Sequence, residues 1–237
     1  MSKYLIKGAS LYGEKVADIL IEDGVISRIA ENIDAADAQV VEAAGQVALI
    51  ALPGLVDIHT HLRQPGYEAS ETVETGTRAA ALGGYTAVFA MANSMPVADT
   101  AAVVEQVDRL GKESAWCRVQ PIGAVTVGLK GERLSDIGGM ANSTANVRVF
   151  SDDGMCVYDP AVMRRALEYV KTFDGVIAQH AQEPRLTEGA QMNEGKVSAD
   201  LGLTGWPAVA EEAIIARDVL LAEHLDSKLH ICHLSTK

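Results

Sequence analysis

The sequence predicts an α/β fold: a (β/α)8 TIM barrel of which six βα units are present, preceded by a small all-β module. Three observations carry this expectation. The first fifty or so residues read as short strands, whereas from Pro53 onward apolar strand-like runs alternate with helical patterns. Such alternation implies a parallel sheet. The residues with chemistry to offer sit at or just after the C-terminal ends of those runs, where a barrel carries its active site. A doubly wound sheet also uses strand C-termini, but it rarely draws site residues from so many strands.

In chain order, residues 4–9, 17–24 and 25–29 are the expected strands of the first module, and Asp23-Gly24 is a hairpin turn signal. The expected domains are 1–52, a small β module, and 53–237, the barrel. Strand-like runs follow at 54–60, 84–91, 117–125, 146–151, 175–180 and 228–234. Helical patterns fill the gaps from Glu71 to Leu82, ended by Gly83-Gly84, and from Thr100 to Leu110, Pro160 to Lys171 and Pro207 to His224. Asp159 before Pro160 is an N-cap followed by proline at the first helical position.

The first barrel strand ends in His59-Thr60-His61. Residues i and i+2 of a strand share a face, so both imidazoles can reach one metal ion. Asn93 follows the second strand, Asp152 and Asp153 the fourth, His180 the fifth and His233 the sixth. Imidazole and carboxylate donors suit zinc. Five donors exceed one tetrahedral catalytic site with an open position, and suit two ions sharing a carboxylate. His59 and His61 would hold one ion, His180 and His233 the other, with Asp153 bridging. His180 alone would read as a core histidine. His233 is preferred to His230 because it lies nearer the strand's C-terminal end; His230 and His224 read as structural. Asp153 is favoured because it puts Val147 and Val149 inward and Arg148 outward, but the pattern leaves Asp152 open. Arg63, two residues after His61, has the planar fork that clamps a carboxylate.

Composition is that of a globular protein: 237 residues, 48% hydrophobic and 22% charged. A net charge of −12 argues against a nucleic-acid surface. Cys117, Cys156 and Cys232 form no C-x-x-C pair. With no signal-peptide pattern and no long apolar span, the expected home is a reducing cytoplasm, away from membranes.

PGLVDIHTHLRQPG, ETVETGTRAAALGGYTAVFAMANSMP, RVFSDDG, LGLTGWPAVAEEAI and HICHLST together resemble a class I dihydroorotase of the amidohydrolase superfamily. The resemblance runs over essentially the whole chain. It implies a barrel flanked by a β-sandwich built from both chain ends. It also implies two zinc ions held by His59, His61, Asp153, His180 and His233, so it selects Asp153 over Asp152 and His233 over His230. Arg63 and Asn93, with His61 beside them, match substrate-binding positions. The implied reaction is the reversible cyclisation of N-carbamoyl-L-aspartate to L-dihydroorotate, a step of pyrimidine synthesis. A homodimer and association with an aspartate transcarbamoylase are the partner expectations that accompany it. MANSMP departs from the usual M-P-N-T-x-P at Ala92 and Ser94 and keeps Asn93. The family's aspartate after strand eight, a metal ligand and the proton-transferring group, is expected beyond Lys237, as are two further βα units. No catalytic acid–base is therefore expected within these residues.

Allantoinases, hydantoinases and dihydropyrimidinases share H-x-H but bridge their metals with a carboxylated lysine from strand four. No lysine occurs between Lys130 and Lys171. A metal-free scaffold for aspartate transcarbamoylase is the non-enzyme alternative; such proteins lack metal ligands, and here each ligand within the chain is present.

Overall fold

A computed structural model describes residues 2–45 and 49–236. Met1, Gln46, Val47, Ala48 and Lys237 lie outside the described residues, and so does any continuation past Lys237. The chain divides into two compact units, Met1–Gly54 and Leu55–Lys237.

The first unit is a five-stranded sheet. Its strands are β1 (Lys3–Leu11), β2 (Lys15–Glu22), β3 (Val25–Ala30), β4 (Gln39–Glu42) and β5 (Ile50–Ala51). β1 lies at the centre, antiparallel to β2 and parallel to β4 and β5, and β3 extends the sheet beyond β2. Asp23 and Gly24 both have positive φ, 50° and 80°, as a two-residue hairpin turn requires. Leu5, Leu20 and Ile33 form one buried cluster and Ala9, Ile19 and Ala43 another. The buried Asp18 accepts from the Gly8 amide at 2.9 Å and the Ile33 amide at 3.0 Å. Those two donors hold its carboxyl below the usual range.

The second unit alternates strand and helix. Its elements are β6 (Leu55–Thr60), α1 (Val73–Leu82), β7 (Tyr85–Ala90), α2 (Ala101–Ser114), β8 (Arg118–Pro121), α3 (Ile137–Asn142), β9 (Val149–Phe150), α4 (Pro160–Lys171), β10 (Val176–Gln179), β11 (Met192–Asn193), α5 (Lys196–Leu201), β12 (Gly205–Trp206), α6 (Val209–Leu225) and β13 (Lys228–Ile231). β6, β7 and β8 pair in parallel, as do β9, β10 and β13. A parallel bridge between Gly123 and Phe150 joins the two sets. The six strands therefore run in chain order, β6-β7-β8-β9-β10-β13. Among the described residues β6 and β13 each pair on one side only, so the sheet is open, not a closed barrel. β11 and β12 form a separate parallel pair.

Burial explains the layering. Val104 of α2, Met140 of α3, Met163 and Leu167 of α4, and Phe150 and Ile177 of the sheet form the largest core. The opposite face carries a smaller cluster of Met91, Ile122, Ala178 and Cys232, with Phe89 and Val149 against it. Ile177 and Ala178, adjacent in β10, fall in different clusters, as strand alternation demands.

Several expectations are corrected. β9 is only two residues long, so alternation does not reach back to Val147, which packs in the helix-side core with Met140 rather than inward. Arg148 does face away, donating to the Ala141 and Val147 carbonyls at 2.8 Å. α2 does not stop at Leu110 but continues to Ser114, where Ala115 adopts a left-handed conformation. Gly111 is a close-approach residue inside that helix: a Cβ there would stand 2.5 Å from the Val119 Cβ. α1 begins at Val73, capped by a reciprocal Thr72–Thr75 box. Asp159 caps α4 as expected, accepting from the Ala161 and Val162 amides.

Candidate metal centre

Five side chains from four strand ends meet at one point. His59 lies within β6 and His61 just beyond it; Asp153 follows β9, His180 follows β10 directly, and His233 follows β13. Asp153 Oδ1 stands 3.3 Å from His59 Nε2, 3.1 Å from His233 Nε2 and 3.6 Å from His180 Nδ1. Its Oδ2 stands 3.4 Å from His61 Nε2. The ring centroids of His180 and His233 are 4.7 Å apart, and His59 lies 5.3 Å from both His61 and His233.

Three of the four separations from Asp153 fit metal coordination, and the fourth, 3.1 Å to His233, is a hydrogen bond. Donors ~2.0–2.2 Å from one tetrahedral ion stand about 3.3–3.6 Å from each other. Two groups can hold an ion, His59 with His61 and Asp153, and Asp153 with His180 and His233. They share Asp153, as a bridging carboxylate would be shared. Asp153 is 6% exposed. Burial works to raise its pKa, but the four imidazoles around it, His180 and His233 with His59 and His61, outweigh burial and hold the carboxyl far below its ordinary range. Burial pulls the His59 imidazole down, whereas the Asp153 carboxylate beside it raises His180.

Asp152 does a different job. It is 1% exposed; its Oδ1 accepts from the Val125 amide at 2.8 Å and the Thr126 amide at 3.0 Å, and its Oδ2 accepts from the Thr126 hydroxyl. Both oxygens accept from the loop after β8, and Asp152 belongs to neither three-donor group. Burial raises its pKa despite those donors.

Asn93 is placed beside His61, whose Nδ1 donates to Asn93 Oδ1 at 3.0 Å. That bond leaves His61 Nε2 bare toward Asp153. Arg63 is exposed, at φ 59°, and makes no side-chain hydrogen bond or ion pair among the described residues. Its loop is pressed on the one that follows Asn93. Gly66 has φ 102° and approaches Met95 so closely that a Cβ would lie 2.3 Å from the Met95 carbonyl oxygen. The Met95 amide donates to the Pro65 carbonyl at 2.9 Å. His230 and His224 are exposed and lie outside the cluster.

Sequence reasoning missed the groups that hold the donors in place. Gln182 Oε1 accepts from His180 Nε2 at 2.9 Å, and Gln182 Nε2 donates to Thr187 Oγ1 at 2.7 Å. Gln179, just before His180, donates to the buried Asp218 at 2.9 Å; Asp218 in turn pairs with Arg217, whose Nη2 reaches the Val157 carbonyl at 2.8 Å. Buried Glu211 accepts from both the Ser235 amide and its hydroxyl, pinning the loop that carries His233. The available signal for Gln182 was a side-chain amide three residues past a strand end, the same offset as the Asn93 already singled out.

A family model described as dihydro-orotase-like matches residues 48–237. The chain is 69% identical to a dihydroorotase of Streptomyces coelicolor over 236 residues, covering 100% of this chain and 54% of that protein. It is 67% identical to a dihydroorotase of Leifsonia xyli subsp. xyli, covering 98% and 52%, and 54% identical to one of Mycobacterium tuberculosis, covering 98% and 54%. The chain thus spans about half the length of the curated relatives it matches. Among solved structures it is similar to a dihydropyrimidinase from Brevibacillus agri, with a TM-score of 0.74 at 22% identity, covering 98% of this chain and 52% of that one. It is also similar to an L-hydantoinase from Arthrobacter aurescens, with a TM-score of 0.77 at 19% identity, covering 99% and 53%. These likenesses establish the α/β fold. No described helix is long and apolar enough to cross a membrane.

Proposed function

Because the chain belongs to the dihydro-orotase-like family, we propose that the complete protein is a zinc-dependent dihydroorotase, interconverting N-carbamoyl-L-aspartate and L-dihydroorotate. The observation that carries the reading is the pair of three-donor groups sharing Asp153. His59 and His61 would hold one zinc, His180 and His233 the other, and Asp153 would bridge them. When bound, the ions supply Lewis acidity and a nucleophile at neutral pH.

The chain's own residues bind and orient. Asn93 Oδ1 is committed to His61, so its Nδ2 hydrogens are free to donate to a substrate carboxylate. The Arg63 guanidinium, with no carboxylate partner among the described residues, supplies a bidentate fork for the same group. Two contacts on one carboxylate fix the ring over the cluster, which lowers the entropic part of the barrier. Asp152 holds the loop after β8 in place. The group that moves the proton is proposed to come from the part of the relatives' length that this chain does not span. The same part would add two βα units beside β6 and β13 and complete a sandwich with β1–β5.

Asp153 stands where the sequence offers no strand-four lysine, which supports a dihydroorotase over the hydantoinase-like alternatives. The test is turnover by the complete protein. Dihydroorotate should be hydrolysed at least about 10³-fold more efficiently than dihydrouracil, because dihydrouracil leaves the carboxylate-binding groups unpaired. Equal efficiency on both would overturn the substrate assignment.

A further inference from the structure

We infer that His180 is held in one tautomer, with its proton on Nε2 and Nδ1 bare toward Asp153, by a relay through Gln182 and Thr187 that ends on backbone carbonyls. The consequence for metal binding rests on the centre proposed above; the relay rests on hydrogen-bond polarity alone.

The argument starts at the far end. Thr187 is buried, and its Oγ1 lies 3.3 Å from both the Glu183 and the Pro184 carbonyl oxygens. A carbonyl only accepts, so the hydroxyl proton points there and the oxygen's lone pairs face the other way. The group on that side is the Gln182 amide at 2.7 Å, which therefore presents its NH₂ to Thr187. Its carbonyl oxygen is then turned to His180 Nε2 at 2.9 Å. That oxygen also only accepts, so Nε2 carries the proton. A neutral imidazole has one proton, and Nδ1 is left as a lone pair, 3.6 Å from Asp153 Oδ1 and 3.1 Å from His233 Nε2. The reversed amide would place the proton on Nδ1, the atom that faces Asp153, and would draw Thr187 away from both carbonyls.

Gln182 and Thr187 are thus positioning residues. His61 has a similar amide partner in Asn93, but on the opposite nitrogen, so each ring presents to Asp153 the nitrogen that its amide does not occupy. Outer partners of this kind are worth about 10–100-fold in metal affinity.

The experiment uses the full chain labelled with 15N-histidine, in wild-type, Gln182→Leu, Thr187→Val and Thr187→Ser forms. Long-range 1H–15N spectra read the tautomer, and chelator competition with zinc chloride reads affinity. Wild type should show a protonated Nε2 and a bare Nδ1 at His180. Gln182→Leu should mix the tautomers and weaken zinc about 10–100-fold. Thr187→Val should do the same in part, and Thr187→Ser should restore both readouts. A wild-type proton on Nδ1, or a Gln182→Leu protein with unchanged tautomer and affinity, overturns the inference. Should Thr187→Val misfold, Gln182→Leu and Thr187→Ser still decide it. If wild type binds no zinc, the metal-centre reading fails, while the tautomer comparison between wild type and Gln182→Leu still judges the relay.

Discussion

Replacing Asp152 and Asp153 separately by alanine should give opposite phenotypes, although the two are neighbours in sequence. Asp152→Ala strips the acceptor from the Val125 and Thr126 amides, which make no other hydrogen bond among the described residues, and from the Thr126 hydroxyl. Val125 and Thr126 are fully buried. The hydroxyl can turn elsewhere, but the amides cannot. At ~1–3 kcal/mol for each orphaned donor, the two amides cost roughly 2–6 kcal/mol. Against a total stability of about 5–15 kcal/mol, that is enough to unfold a large share of the molecules. Asp153→Ala removes a carboxylate whose side-chain partners are imidazoles that reach solvent. Those rings can turn to water once the carboxylate is gone, so the metal-free protein should lose less stability than Asp152→Ala does. Zinc binding should be abolished, since both three-donor groups lose their common member. Urea denaturation of the metal-free chain reads the first effect and zinc content after dialysis reads the second. An Asp152→Ala protein as stable as wild type, or an Asp153→Ala protein that retains its zinc, would refute the division of labour between the two aspartates.

Three further predictions are independent of that pair. Arg63→Lys in the complete enzyme should raise KM for dihydroorotate by about tenfold or more, because an ammonium cannot form the bidentate fork; unchanged kinetics would make Arg63 a surface charge. Gly111→Ala gains ~1 kcal/mol of helix propensity but drives a methyl into Val119 at a cost of about 1–3 kcal/mol. The protein should lose stability in urea, and a Val119→Ala background should reverse the sign; a stabilised single variant would contradict the close approach. Asp18 has its folded pKa depressed by the Gly8 and Ile33 amides. Its contribution is therefore present above its unfolded pKa of about 3.9 and lost as pH falls through the folded value. The stability gap between wild type and Asp18→Asn should be flat above about pH 5 and narrow below about pH 4; a gap independent of pH would show that the amides do not depress Asp18.

What could be read from the chain was whatever local chemistry announces. His59 and His61 declare a shared face by their spacing, Asp159-Pro160 declares a helix start, and Asp23-Gly24 a hairpin. The positions of His180 and His233 follow once each run is taken to end at the same face of the sheet. What could not be read depends on partners distant in sequence. Asp152 anchors a loop 26 and 27 residues away, and nothing near it in the chain signals that. Gly111 resembles a helix stop because the strand residue that demands it, Val119, lies on another element. β4 and β5 are short and find their partner in β1, so they carry little pattern of their own. Val147 was misplaced because strand alternation was extended beyond a strand of two residues. The Gln182–Thr187 relay was invisible for a related reason: each hydrogen bond in it is local, but only the fold shows which way the amide faces.

The centre itself is tested most directly by anomalous diffraction at the zinc edge from crystals of the complete, zinc-loaded protein. Two zinc peaks are predicted, each ~2.0–2.2 Å from an Asp153 carboxylate oxygen, one also bound by His59 and His61 and the other by His180 and His233. A single peak, or an ion held by Asp152 with Asp153 turned away, would contradict the account.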